Sequence, residues 1–157
     1  MFRIECLTLN TGFMLDTNIF NRILDGQVSI AVFCKSSIYI THVQHDELGA
    51  TKKDLRRKQL LEIFRLIEKK KIPTESAVFG VSRFDEAKFS DSILYEKIKK
   101  KLDAVEKKPN NMQDALIAVT SIKNNLILIT TDLPLQEIVC RLNGKAISLS
   151  EFCRKHS

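Results

Sequence analysis

Two short apolar runs end in the same way, and this limits what the chain can fold into more than any other feature. Phe13-Met14-Leu15 breaks off at Asp16-Thr17-Asn18, and Leu126-Ile127-Leu128-Ile129-Thr130 breaks off at Thr131-Asp132. An apolar run of this length, bounded by polar turn-formers, suits a strand buried on both faces. Asp, Thr or Asn directly behind it suits the cap of a following helix. Strands of that kind belong in a parallel sheet covered by helices. Each carboxylate then stands at the carboxyl end of a strand, the edge where open sheets bind ligands.

The remaining pattern alternates strand and helix. Ile19, Phe20, Ile23 and Leu24 recur at helical spacing and Asp25-Gly26 closes them; Ser37–Thr41 is β-branched and aromatic, and Val43–Gly49 reads as a short helix carrying Asp46 and Glu47. Leu55, Leu60, Leu61, Phe64 and Ile67 predict a helix over Thr51–Lys71, stopped by Pro73, with an extended piece at Glu75–Phe79 behind it. Ser90 or Asp91 is placed to cap a helix running to Val105, and Asn111 to cap one in which Ala115, Ala118, Val119 and Ile122 face the core. Leu133-Pro134 opens a last helix, and Ala146–Leu149 makes a final edge strand. The order predicts a three-layer α/β/α domain with a central, mainly parallel sheet. No repeat or linker divides residues 1–157, so one domain is expected, with 1–11 as a starting strand or an extension before Gly12.

Composition narrows the function classes. The apolar runs are too short to span a bilayer and the first residues, with Glu5 among them, do not form a signal peptide, so a soluble cytoplasmic protein is expected. Cys6, Cys34, Cys140 and Cys153 show no C-x-x-C pair and no histidine at finger spacing, which speaks for free thiols rather than zinc. Lys and Arg number 25 against 19 Asp and Glu, a net charge of +6 that favours a polyanionic partner. His42, His45 and His156 are poor general bases, each better explained as a solvated or hydrogen-bonded side chain.

Each acid has an ordinary explanation when taken alone. Asp16 and Asp132 can cap helices, Asp114 can complete a capping box begun at Asn111, and Glu47 can decorate a short helix. Together they carry more weight, because a parallel sheet gathers Asp16, Asp114 and Asp132 on one edge with Glu47 less than two turns beyond another junction. Two unit charges 4 Å apart repel by roughly 4 kcal/mol at an effective dielectric of 20. A hard divalent cation removes that penalty, and carboxylate oxygens are the ligands Mg²⁺ or Mn²⁺ prefers. An acidic pocket in a basic protein is the pattern of a metal-dependent phosphodiesterase.

The series Leu-Asp-Thr-Asn at Asp16, Val43-Gln44-His45-Asp46-Glu47-Leu48, Asn-x-x-Asp-Ala-Leu-Ile-Ala at Asp114 and Ile-Thr-Thr-Asp at Asp132 resembles the PIN domain. In particular it resembles the VapC-type toxins of bacterial toxin–antitoxin pairs, with Val81–Ala87 as a further point of likeness. The resemblance implies a parallel sheet flanked by helices and Mg²⁺- or Mn²⁺-dependent cleavage of RNA. It also implies a small protein antitoxin as partner, and homodimers. Carried over by position, Asp16, Glu47, Asp114 and Asp132 are the metal-binding acids, with Asp46 the neighbour that leaves the second motif open by one residue. Asn18 supports the first acid and Thr131 is the hydroxyl beside the last.

Three alternatives stay in view. The chain can be an RNA- or partner-binding module whose acids are only caps, or an RNA-processing nuclease outside any toxin–antitoxin pair. A phosphatase with Asp16 as nucleophile is the third, opposed by Asn18 where such enzymes resemble Asp-x-Asp.

Overall fold

The computed structural model describes residues 11–75 and 93–156. The strands are β1 (Gly12–Leu15), β2 (Ser37–Ile40), β3 (Lys70–Lys71), β4 (Ile127–Thr130) and β5 (Lys145–Ser148). Between and after them run α1 (Thr17–Leu24), α2 (His42–Gly49), α3 (Asp54–Leu66), α4 (Ile93–Val105), α5 (Asn111–Lys123), α6 (Leu133–Arg141) and α7 (Leu149–His156). The five described strands are all parallel, in the order β3-β2-β1-β4-β5. This is the expected α/β/α architecture. The chain leaves β1 towards one edge of the sheet and returns on its other side, so the strand order reverses between β1 and β4. That is the switch point at which open sheets hold ligands.

Side-chain alternation divides the interior into two cores. Met14 and Leu128 pack with Val43 and with the buried faces of α4, α5 and α6, while Phe13, Leu15 and Ile129 pack with α1, α3 and α7 on the other side. Gly12 is required where β1 enters the sheet, since a Cβ there would come within 2.6 Å of a Leu126 methyl and 2.7 Å of the Tyr39 ring.

Four local readings are corrected. The helix expected over Thr51–Lys71 begins at Asp54 and stops at Leu66, and Lys70-Lys71 pairs with Tyr39-Ile40 as an edge strand. Ile67 turns extended at ψ 121°, and the Lys69 ammonium donates to the Phe64 and Ile67 carbonyls at the helix end. Charged lysines also suit an edge strand that must not recruit another. Asn110, not Asn111, occupies the cap position of α5, and Asn111 instead donates to Asp103 Oδ1 and the Glu106 carbonyl, both at 2.8 Å, tying α4 to α5. Asp16 stands at the cap position of α1 without making a side-chain cap.

Nor is the helix opened by Leu133-Pro134 the last one, since α7 follows the edge strand β5, which stands where it was expected. Ser148 accepts from the Glu151 N–H at 3.1 Å and starts α7, whose Phe152 is fully buried against the ring of Phe33 at 5.3 Å and edge-on to Phe13 at 5.1 Å. Of the extended piece expected at Glu75–Phe79 only Glu75 is described; it is buried and its N–H donates to Thr120 Oγ1 at 3.1 Å. The N-terminal strand or extension, the caps at Ser90 or Asp91, and the Val81–Ala87 segment lie outside the described residues. No described helix is long and apolar enough to cross a membrane.

Candidate metal centre

Asp16 follows β1 directly, and its N–H donates to the Ile129 carbonyl at 3.0 Å, which carries the β1–β4 ladder one residue further. The alternation that sends Met14 to the α4–α6 side sends Asp16 there too, and Thr130 follows Leu128 to the same side. The two side chains meet, with Thr130 Oγ1 donating to Asp16 Oδ2 at 2.6 Å and Asn18 Nδ2 donating to the same oxygen at 3.0 Å. Asp16 is 3% exposed.

Glu47 reaches the group from α2. That helix is fixed to the end of β1 by Gln44, which is wholly buried: its Nε2 donates to the Leu15 carbonyl at 3.0 Å, and its Oε1 accepts from Thr41 N at 2.9 Å and Thr41 Oγ1 at 2.7 Å. The Thr17 hydroxyl donates to Glu47 Oε2. Asp46 points elsewhere, with its carboxylate 39% exposed beside His45, so Glu47 is the acid of that pair turned to the site.

Asp114 lies in the first turn of α5, 8% exposed, with Asn110 Nδ2 3.5 Å from its Oδ2. Asp132 caps α6: its Oδ1 accepts from Leu135 N at 3.0 Å, while its own N–H donates to Thr130 Oγ1 at 3.0 Å. One of its oxygens is thus committed to the helix, as an ordinary cap would be.

The electrostatics show that these groups share one field. Burial raises Asp16 to about 6, and the charge of Asp132 adds to it, against the hydrogen bonds from Thr130 and Asn18. Burial likewise raises Glu47 to about 7, with Asp16 contributing. Asp114 rises to about 8, first through burial and then through Asp16, Glu47 and Asp132, with Lys108 opposing. Such shifts are the mark of carboxylates held together at low dielectric with too little positive charge among them.

Among the described residues, no three acidic, histidine or cysteine side chains are already drawn in to the spacing of one ion's ligands. The donor set nonetheless suits a hard cation. It is all oxygen, it is starved of counter-charge, and the Asn18 Oδ1 beside it is buried without a hydrogen-bond partner. Mg²⁺ usually keeps several waters and takes only one or two carboxylates directly.

Thr17 and Thr130 are the site residues that sequence reading passed over. Of the pair Thr130-Thr131, alternation places the first against Asp16, while the second is exposed and faces away from the acids. Strand parity carried on from Leu128 was the signal that could have separated them.

A five-stranded parallel sheet with helices on both faces and acids gathered at its switch point defines a PIN-like fold. Solved structures share it at low sequence identity. VapBC2 from Rickettsia felis, bound to a DNA fragment from its promoter, matches with a TM-score of 0.55 and 19% identity over 88% of this chain and 98% of that one. VapBC-1 from nontypeable Haemophilus influenzae matches at 0.54 and 14% identity over 89% and 99%, respectively. PAE2754 from Pyrobaculum aerophilum matches at 0.55 and 13% identity over 94% and 96%. At these identities the likeness is one of fold. No family model and no curated protein matches the sequence.

Proposed function

We propose that the chain is a metal-dependent endoribonuclease that hydrolyses RNA phosphodiester bonds and serves as the toxin of a toxin–antitoxin pair. The observation that carries the reading is the gathering of Asp16 and Asp114, both buried, and the half-buried Glu47 at the switch point of a PIN-like sheet, each raised by desolvation and by the charge of another acid of the group. These three and Asp132 would hold Mg²⁺ or Mn²⁺. When bound, the ion would acidify a water and neutralise charge on the phosphoryl oxygens. Thr130 and Asn18 orient Asp16, and Thr17 orients Glu47. Asp132 has a second oxygen to offer beside the one that caps α6. The net charge of +6 favours a polyanionic substrate, and the VapBC likeness favours a small protein antitoxin as partner. A homodimer and a cytoplasmic location belong to the same proposal.

The test is cleavage of a mixed structured RNA with Mg²⁺, with Mn²⁺ and with chelator, beside Asp114→Asn. Cleavage is expected to require metal and to fall by at least about a hundredfold in the variant. An equal rate in chelator, or in the variant, would overturn the assignment. Metal-independent RNA binding without cleavage would instead favour the binding-module reading, in which Asp132 is only a cap.

A further inference from the structure

Thr131 leads away from the acids into a groove of about 410 Å³ on the α1–α7 side of the sheet edge, lined among others by Arg22, Gln27, Thr131, Ser148 and Ser150. Its residues come from the last turn of α1 and the turn behind it, from the carboxyl ends of β4 and β5, and from the first turns of α7, which adds Leu149 and Cys153. We propose that this groove binds a backbone phosphate of the RNA next to the one being cut, with the Arg22 guanidinium and the Thr131 and Ser150 hydroxyls as donors. The inference rests on the nuclease reading above and extends it to how the strand is held.

Arg22 spends one nitrogen on Gln27 Oε1 at 2.6 Å. The nearby carboxylate of Asp25, which does feel Arg22, is held by both terminal nitrogens of Arg56 at 2.9 and 3.2 Å. Glu151, at the start of α7, is paired with Lys155 at 3.2 Å. Among the described residues no carboxylate lines the groove and none is paired with Arg22. Ser148 and Ser150 stand with their hydroxyls 3.1 Å apart. Placement near the carboxyl end of α1 accounts for an arginine there and capping of α7 accounts for Ser148, but neither accounts for the Thr131 and Ser150 hydroxyls that line the same cavity. Asp132 follows Thr131 in the chain, so the groove begins one residue from the acidic site, and a strand crossing the end of β4 meets carboxylates on one side and donors on the other. An acidic protein segment is the competing occupant. Proximity to the cleavage site favours the phosphate.

The test is anisotropy of a labelled single-stranded oligoribonucleotide in an Asp114→Asn background, titrated over a range of salt, beside wild-type cleavage and thermal melts. Arg22→Gln is expected to weaken binding by about tenfold and to reduce the slope of log affinity against log salt by about one. Arg22→Lys keeps the slope. Thr131→Val weakens binding a few-fold with the slope unchanged, since it removes a neutral donor. Background affinity and slope in a folded Arg22→Gln protein would overturn the groove while wild-type cleavage left the nuclease reading standing. Neither binding nor cleavage of RNA would overturn both. If Arg22→Gln instead lost affinity for polyglutamate and kept it for RNA, the groove would belong to an acidic partner.

Discussion

At the scale of single residues, Thr130 joins two tasks. Its hydroxyl donates to Asp16 and accepts from the Asp132 N–H, so one side chain sets the distance between the first and last acids. It is a positioning residue that acts through the groups it holds. Thr130→Val keeps the shape and removes both bonds. Partners of this kind typically change metal affinity or activity by about 10- to 100-fold. The variant is expected to show that loss in Mn²⁺ titration as well as in cleavage, with Thr130→Ser restoring most of it. Native Mn²⁺ affinity in a folded Thr130→Val protein would remove Thr130 from the site.

At the scale of elements, α2 matters because its position decides where Glu47 stands. Gln44 is the connection: its amide satisfies the Leu15 carbonyl at the end of β1 and the Thr41 backbone at the start of α2. Gln44→Leu fills the space and leaves those buried groups unpaired, at a cost of about 1–3 kcal/mol. Denaturant unfolding is expected to show that loss together with a drop in cleavage. Stability within a few tenths of a kcal/mol of wild type would mean that water or a shift of α2 replaces the amide. The elements also explain the misread boundaries. The apolar stripe of α3 runs to Ile67, but Lys69 turns back onto the carbonyls of the last turn, and the pairing of Lys70-Lys71 with β2 is visible only once β2 is adjacent. Helix α7 has eight residues, too few for a clear period, although Ser148 and Glu151 stand at capping-box spacing.

At the scale of the whole molecule, the gathered acids make stability depend on pH. Asp16, Glu47 and Asp114 hold their protons to about 6, 7 and 8 when folded, against ordinary values of 3.8, 4.5 and 3.8. Well below 3.8 both states are protonated and no difference arises. As pH rises from about 4 towards 8 the unfolded chain releases protons that the folded chain keeps, so stability falls through this window and levels off above it. The surface acids Asp25, Glu62 and Asp103, whose values are lowered by their Arg, Asn and Lys partners, act below this range. In chelator, the melting temperature is therefore expected to decline from pH 5 to pH 8. Asp114→Asn should flatten the decline and stabilise the protein at pH 8 by about 1 kcal/mol or more. Mn²⁺ binds the deprotonated acids, so it should raise the melting temperature more at pH 8 than at pH 5. A flat profile in chelator would mean that the acids are not held together in solution.

Much of the candidate site can be found in the chain itself, because carboxylates behind buried strands are local signals: Asp16 and Asp132 follow their strands, and Asp114 lies in the first turn of a helix that such a sheet needs. The parallel α/β/α arrangement follows from the same alternation of apolar runs and amphipathic stretches. What the sequence alone could not decide is which neighbour of each acid supports it. Thr130 and Thr131 are chemically identical, and only the pleat of β4 beside β1 sends one to Asp16 and the other to the groove of Arg22. Thr17 meets Glu47 across 30 residues and Thr130 meets Asp16 across 114. Composition and periodicity report which residues are buried, whereas contacts across such separations exist only after the strands have paired in register.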